Sequence, residues 1–295
     1  MADIENGVIV SSMGESFKVM WSGGVSVCKP RGVLRIGGVS PCCGDRVSFC
    51  PQDGVILSIH ERKNQIIRPP LANLDSIVFV VSTCEPYPNL LLLDKFLAVA
   101  EYKGISPVIV FTKIDKLPPG DYLEVYKRIY PVFCVCNITG EGLDGLLSEL
   151  KDRFSAVAGN SGSGKSSLLN NLCPELGLKT QEISKKLGRG KHTTRRTDIY
   201  PLECGGCIAD TPGFSSFETG RYDTITAKEL PYCFPEFSKH LGDCRFPDCT
   251  HSAEPDCGVL NAVSYGLISR SRHESYKAML EEAKRIKPWE LDKKR

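Results

Sequence analysis

The sequence predicts a multidomain α/β chain, and three observations predict it. Residues 7–68 hold five short β-prone runs broken by Gly, Pro and Ser. From residue 75 onward, apolar runs alternate with stretches of helical spacing. Past residue 220 the chain turns to short helices and loops rich in cysteine. The predicted parts are a small N-terminal β-barrel at 1–68, an α/β core at 69–222 and a C-terminal helical module at 223–295. A length of 295 residues suits two or three domains, and a 41% apolar share supplies real cores and excludes global disorder.

The barrel strands are Gly7-Val8-Ile9-Val10, Phe17-Lys18-Val19-Met20, Val25-Ser26-Val27-Cys28, Asp45-Arg46-Val47-Ser48-Phe49 and Val55-Ile56-Leu57-Ser58-Ile59. Five such strands fit an oligonucleotide-binding barrel or an SH3-like one. Arg68-Pro69-Pro70 reads as the linker that ends this block. In the core, strands are predicted at 76–81, 108–111, 132–136 and 154–158, with helices at 90–102, 122–129 and 143–151 between them. Alternation of this kind implies a mostly parallel sheet covered on both faces, with ligands at the carboxyl ends of its strands. A closing helix is predicted from Ser264 onward.

The chemistry sits at those strand ends. Gly159-Asn160-Ser161-Gly162-Ser163-Gly164-Lys165-Ser166 fits the phosphate-binding pattern G-x-x-x-x-G-K-[ST], with a strand before it and a helix, starting with Ser166-Ser167, after it. Its glycines let backbone N–H groups turn toward a β-phosphate, Lys165 supplies charge to the β- and γ-phosphates, and the Ser166 hydroxyl suits Mg²⁺. Asp210-Thr211-Pro212-Gly213 follows the apolar Cys207-Ile208-Ala209. Its aspartate can hold Mg²⁺ and its Gly213 N–H can reach the γ-phosphate. Thr112-Lys113-Ile114-Asp115 matches the guanine-reading [NT]-K-x-D, in which a carboxylate accepts from the guanine N1–H and exocyclic amine; adenine offers neither in that arrangement. Cys136-Asn137 ends the next strand, where a second base-contacting loop belongs. Gly190-Lys191-His192-Thr193-Thr194 lies where a switch segment belongs, and either Thr193 or Thr194 can close on Mg²⁺.

The guanine motif precedes the phosphate loop here, whereas in ordinary small GTPases it follows. The core is therefore a circularly permuted P-loop GTPase.

Cys244-x4-Cys249-x-His251-x5-Cys257 sets three thiols and one imidazole within fourteen positions, a closed tetrahedral set for one structural Zn²⁺. The rival pair Cys204-Gly205-Gly206-Cys207 reads as a hairpin turn, Cys42-Cys43 as plain thiols, and His60, His240 and His273 as surface or packing residues. A net charge of +2 gives no whole-protein field. Locally, residues 179–196 hold seven basic side chains against one acid, and 270–295 nine against five. The N-terminus has no apolar leader region and no stretch approaches membrane-spanning length, so a cytoplasmic protein without a membrane partner is expected, its cysteines being thiols or metal ligands.

Together these residues resemble the small ribosomal subunit biogenesis GTPases of the RsgA (YjeQ/YloQ) family. Pro30-Arg31-Gly32, Gly44-Asp45-Arg46-Val47 and Arg62-Lys63-Asn64 are similar to that family's barrel signatures, and Arg272-His273-Glu274-Ser275-Tyr276 follows the metal motif as it does there. Thr112 stands where Asn is commoner, Cys136-Asn137 where the family tends to Ser-Ala, and Phe214 where many GTPases have a water-orienting glutamine.

The resemblance implies an oligonucleotide-binding barrel, GTP and GDP as ligands, and binding to the small ribosomal subunit and its rRNA. It further implies GTP hydrolysis stimulated by that subunit during late maturation, by a chain expected to be a monomer. Lys165 and His192 are the expected catalytic residues; His192 either positions the attacking water or contacts RNA. Arg245, Arg270 and Arg272 are expected to face rRNA phosphates. Two rivals are an RNA-binding nucleotide switch with negligible turnover and an ATP-dependent phosphotransferase; Asp115 argues against the second.

Overall fold

The computed structural model describes residues 3–32, 34, 40–67, 69–174, 197–210 and 224–286. The first five strands are β1 (Glu5–Met13), β2 (Ser16–Trp21), β3 (Gly24–Pro30), β4 (Arg46–Cys50) and β5 (Val55–Ile59). They pair in the order β1-β2-β3-β5-β4, and β4 returns to β1, so the barrel closes. Period-two alternation sends Ile9, Val19, Val47, Phe49 and Ile56 inward, all with no exposed surface. Closure removes the free edges that a five-stranded sheet would otherwise expose.

The signature residues of the barrel staple it to the chain that leaves it. Arg62 grips the buried Asp45 through two bonds, Nε to Oδ1 at 2.7 Å and Nη2 to Oδ2 at 2.8 Å. The Asn64 carboxamide donates to the Leu74 carbonyl and accepts from the Leu74 N–H. Gly44 has φ +88°, and a Cβ there would lie 2.1 Å from the Ala72 carbonyl oxygen. That approach explains the glycine. The short pair β6 (Gln65–Ile66) and β7 (Leu71–Ala72) fills this joint.

The second group of strands is β8 (Ser76–Ser82), β9 (Ser106–Thr112), β10 (Val132–Val135), β11 (Phe154–Gly159), β12 (Asp198–Pro201) and β13 (Cys207–Asp210). They lie in the order β10-β9-β8-β11-β13-β12, with β8, β11 and β13 parallel and β12 antiparallel at the margin. The hairpin reading of the Cys-Gly-Gly-Cys stretch holds: Gly205 has φ +91°, and a Cβ on Gly206 would meet the Leu150 carbonyl at 2.3 Å. Strand β12 escaped the sequence reading, since Asp198-Ile199-Tyr200-Pro201 lacks a strong apolar run. Through it the barrel joins the sheet, because β12 pairs with β1 at Ser11↔Asp198. Barrel and core strands thus form one eleven-stranded hydrogen-bonded sheet.

Two compact units emerge. One draws on 1–86, 108–118 and 133–216 and holds the barrel and the sheet. The helices α3 (Leu143–Glu149) and α4 (Lys165–Leu172) belong to it and pack Leu146, Leu168 and Leu172 against Val78, Val110 and Val157.

The other unit draws on 87–107, 119–132 and 217–295. It holds α1 (Leu90–Tyr102), α2 (Tyr122–Lys127), α5 (Gly258–Ser264) and α6 (Arg270–Lys284). Asn89 caps α1 by accepting from the Leu92 N–H at 3.0 Å. The closing helix expected from Ser264 starts later: α5 ends at Ser264, and α6 begins only at Arg270 after the exposed turn Tyr265-Gly266-Leu267. Gly266 at φ +73° breaks the run. The core of this unit stacks Tyr276 edge-on against Phe234 and Phe237, with centroids 5.3 and 5.0 Å apart, beside Ala98 and Val99 of α1.

Arg272 is corrected too. It does not face solvent. It is 1% exposed, its Nη1 donates to Asp94 Oδ1 at 2.6 Å and its Nε to Glu236 Oε1 at 2.8 Å, and its guanidinium lies over Phe234.

Candidate nucleotide site and metal centre

The phosphate loop runs from the end of β11 into α4. Gly159, Gly162 and Gly164 take φ values of +143°, +78° and +93°, which side chains rarely adopt. A Cβ on Gly159 would lie 2.3 Å from the Val80 carbonyl oxygen. Asn160 and Ser161 lead the turn, and Ser166 and Ser167 sit half-buried in the first turn of α4, at its positive dipole end. Ser163 Oγ is buried without a hydrogen-bond partner among the described residues. A glycine cradle, a helix N-terminus and an orphaned hydroxyl fit a polyphosphate.

Lys165 folds over the loop and donates to the carbonyls of Gly159 and Asn160 at 2.7 and 2.6 Å. Burial pushes its pKa down to about 8, against the opposing charge of Asp210. Asp210 ends β13; burial raises its pKa, Asp198 adds to the rise and Lys165 offsets it. The Asp210 carboxylate and Ser166 hydroxyl are hard oxygen donors of the kind Mg²⁺ takes.

Both base-reading loops are tied to this phosphate loop. Thr112 Oγ1 donates to the Ser163 carbonyl at 2.6 Å. The threonine that replaces the commoner asparagine thus still binds the guanine motif to the phosphate loop. Thr83 Oγ1 braces it from below, donating to the carbonyls of Thr112 and Lys113 at 3.1 Å each. Lys113, at φ +62°, donates through Nζ to the Glu85 carbonyl. Ile114 is half-buried and Asp115 exposed in the following turn. On the second loop, Cys136 is buried, and Asn137 Nδ2 donates to the Gly164 carbonyl at 3.2 Å. His192, Thr193, Thr194 and Gly213 lie outside the described residues.

The metal centre is local. Cys244, Cys249, His251 and Cys257 bring their ligating atoms within 4.8 Å of one another. His251 Nδ1 lies 3.4 Å from Cys244 Sγ and 3.5 Å from Cys257 Sγ, and the two sulfurs are 3.8 Å apart. Tetrahedral zinc with Zn–S of about 2.3 Å and Zn–N of about 2.0 Å sets S–S edges near ~3.8 Å and S–N edges near ~3.5 Å. The group can therefore hold a tetrahedral ion with no open position.

Residues that sequence reading missed hold this cluster in place. His273 Nε2 pairs with the His251 carbonyl at 2.8 Å, and Tyr276 OH donates to the Thr250 carbonyl at 2.7 Å. His273, expected at the surface or in packing, is buried and linked to a ligand residue. Glu254 accepts from Thr250, Ser252 and Ala253; burial opposes its ionisation, but these bonds hold its carboxyl well below the usual range. The i,i+3 spacing of His273 and Tyr276, which puts both on one face of a helix, was the available signal. Asn171 was also missed. Its Nδ2 donates to the Asn137 carbonyl at 3.0 Å.

The fold and the nucleotide site define a circularly permuted GTPase with a small barrel before the core and a Cys3His module after it. The RsgA GTPase family model matches residues 59–220, and the RsgA N-terminal domain model matches 6–56. The small ribosomal subunit biogenesis GTPase RsgA of Geobacillus thermodenitrificans is 45% identical over 96% of this chain and 98% of its own length. The protein of the same description from Halalkalibacterium halodurans is 41% identical over 94% and 97%. The crystal structure of YjeQ from Thermotoga maritima superposes with a TM-score of 0.83 at 35% identity, covering 97% of this chain and all of that one. YloQ, a circularly permuted GTPase, superposes at 0.80 and 32% identity, covering 97% of each chain.

The chain belongs to the RsgA family of small ribosomal subunit biogenesis GTPases, and it hydrolyses GTP. Among the described residues, no helix is long and apolar enough to cross a membrane.

Proposed function

We propose that this protein binds the small ribosomal subunit through its rRNA and hydrolyses GTP during that subunit's late maturation, with turnover that the subunit stimulates. The observation that carries the reading is similarity along the whole chain, from barrel to metal module, to relatives described as small ribosomal subunit biogenesis GTPases. The parts divide as a barrel at 1–68 for RNA, a GTPase core at 69–222 and a zinc module at 223–295, acting as a monomer in the cytoplasm.

In the core, Asp115 reads the guanine N1–H and amine, and Lys113 lays its stem over the ring. The N–H groups of residues 159–164 and the Lys165 charge hold the β- and γ-phosphates. Ser166, Asp210 and one of Thr193 and Thr194 would hold Mg²⁺, which when bound neutralises charge on the β- and γ-oxygens. Gly213 contacts the γ-phosphate. With Phe214 in the usual glutamine position, His192 orients the attacking water. The cluster of Cys244, Cys249, His251 and Cys257 takes Zn²⁺ in a structural role, because four protein ligands leave no place for water.

The test is multiple-turnover GTP hydrolysis with and without purified small subunits, using the wild type and His192→Ala. Turnover should rise in the presence of subunits and not in their absence. The variant should bind GTP normally and lose the stimulated part, by at least about tenfold. Equal wild-type rates with and without subunits would refute the stimulation. Surviving stimulation in His192→Ala at equal subunit occupancy would refute the role of His192.

A further inference from the structure

Asn171 lies in the last turn of α4, on the far side of that helix's length from Lys165. Asparagine is a poor helix former, and here its side chain serves another loop. Its Nδ2 donates to the Asn137 carbonyl at 3.0 Å and sits 3.5 Å from Asn137 Oδ1. The Asn137 carboxamide in turn donates to the Gly164 carbonyl at 3.2 Å. Gly164 caps the start of α4, and its carbonyl also accepts from the Leu168 N–H at 2.9 Å. The result is a closed ring: both ends of α4 hold Asn137, one through its backbone and the other through its side chain. A Cβ on Gly164 would come within 2.9 Å of Asn137 Nδ2, so the contact is tight on both sides.

This ring changes what Asn137 can do. Its side chain is engaged with the protein and is not the group that meets a base. What remains for recognition is the backbone. A peptide unit is planar, so fixing the carbonyl of residue 137 also fixes the direction of the N–H of residue 138. The loop is closed behind that unit by the Cys136 N–H on the Glu141 carbonyl and the Gly140 N–H on the Cys136 carbonyl.

We propose that Asn171 is a positioning residue for guanine recognition: by holding the 137–138 peptide, it aims a backbone donor at the purine 6-oxygen, the edge next to the one Asp115 reads. The proposal rests on the guanine-site reading above. It also explains how Cys136-Asn137 substitutes for a smaller pair: the larger side chain is absorbed by Gly164 and Asn171.

Equilibrium titrations of the full chain with GDP, IDP, 6-thio-GDP and ADP test it, with melting temperatures alongside. IDP keeps the 6-oxygen and lacks the 2-amine; 6-thio-GDP keeps the amine and carries a weaker acceptor at position 6. Asn171→Ala should weaken GDP and IDP together, by about tenfold for a lost pair of hydrogen bonds. The wild-type preference for GDP over 6-thio-GDP should shrink toward one, while the GDP-to-IDP ratio, set by Asp115, stays put. Asn137→Asp changes no residue of α4 and turns a carboxylate on the Gly164 carbonyl, breaking the other tie of the ring; it should produce the same drop in preference and serves if the helix variant does not fold.

Unchanged GDP affinity in both variants would overturn the proposal. So would a uniform loss that spares the preference for oxygen over sulfur, since that is the mark of packing alone. A wild type that does not prefer GDP to ADP would instead overturn the guanine reading itself, and the role of Asn171 with it.

Discussion

The Cys3His cluster, which can hold a metal ion, draws its four donor atoms from fourteen consecutive positions, whereas the candidate nucleotide site gathers its parts from Thr83 to Asp210. In the first, side chains carry the chemistry and a short loop delivers them. In the second, much of the work falls to backbone groups held in unusual conformations, and the side chains mostly fasten loops to one another. Thr112 and Asn137 fasten the two base-reading loops to consecutive carbonyls, those of Ser163 and Gly164. A local site is sensitive to losing one ligand. A distributed site is sensitive to losing one tie.

The sharpest contrast should come from Cys249→Ser. Structural zinc contributes on the order of 10 kcal/mol to folding small modules, so the ion should be released and the unit containing 224–286 should loosen. Because Ala98 and Val99 belong to the same core, the loosening should reach α1. Zinc content by elemental analysis and amide exchange by residue would show it. GTP affinity should stay nearly intact while subunit binding weakens; a wild type purified without chelator and lacking zinc would refute the site.

Arg272→Ala comes next. It strands the Asp94 and Glu236 carboxylates, of which Asp94 is 2% exposed, and should cost about 3–5 kcal/mol. A chemical-denaturation midpoint close to that of the wild type would mean that solvent reaches those carboxylates.

In the distributed site, Asp115→Asn should weaken GTP by roughly tenfold or more and improve xanthosine triphosphate, because an amide can donate to the xanthine oxygen. Competition titrations decide, and an unchanged GTP preference would remove Asp115 from its role.

The smallest effect concerns Lys165. Its pKa of about 8 in the free chain lies below that of an ordinary lysine, so above about pH 8 the free chain carries it neutral. Bound phosphates restore the charge. Nucleotide binding should therefore take up protons near pH 8, and affinity should fall as pH rises beyond that value, by at most about tenfold per unit. Calorimetry in buffers of different ionisation enthalpy measures the uptake; binding without proton transfer there would contradict the buried lysine.

The same comparison explains what could be read from sequence. The Cys3His cluster was legible because residue type and spacing alone define such a group. The phosphate loop and Thr112-Lys113-Ile114-Asp115 were legible because each is a contiguous pattern at a strand end. The barrel strands followed from alternation, and α1 from its helical spacing. Asn171, Thr83 and His273 were not legible, since their partners lie 34, 29 and 22 positions away along the chain. Arg272 misled for a related reason: a lone arginine in a basic run reads as solvated, and only the fold brings Asp94, 178 positions off, to meet it. Strand β12 was missed because its pairing with β13 and β1, and not its composition, makes it a strand.

The bond between barrel and sheet has a mechanical consequence. Ser11, Asp198 and Asp210 stand in register across β1, β12 and β13, and Ser11 Oγ donates to Asp198 Oδ1 at 2.5 Å. Strands in a ladder are spaced about 4.8 Å apart, so the barrel wall stands only about 10 Å from the strand end that carries Asp210. That span is crossed by backbone hydrogen bonds and no linker. A load applied to the barrel is borne by the sheet as a plate bears a push at its rim. Tilting the barrel shears the row on which Asp210 sits.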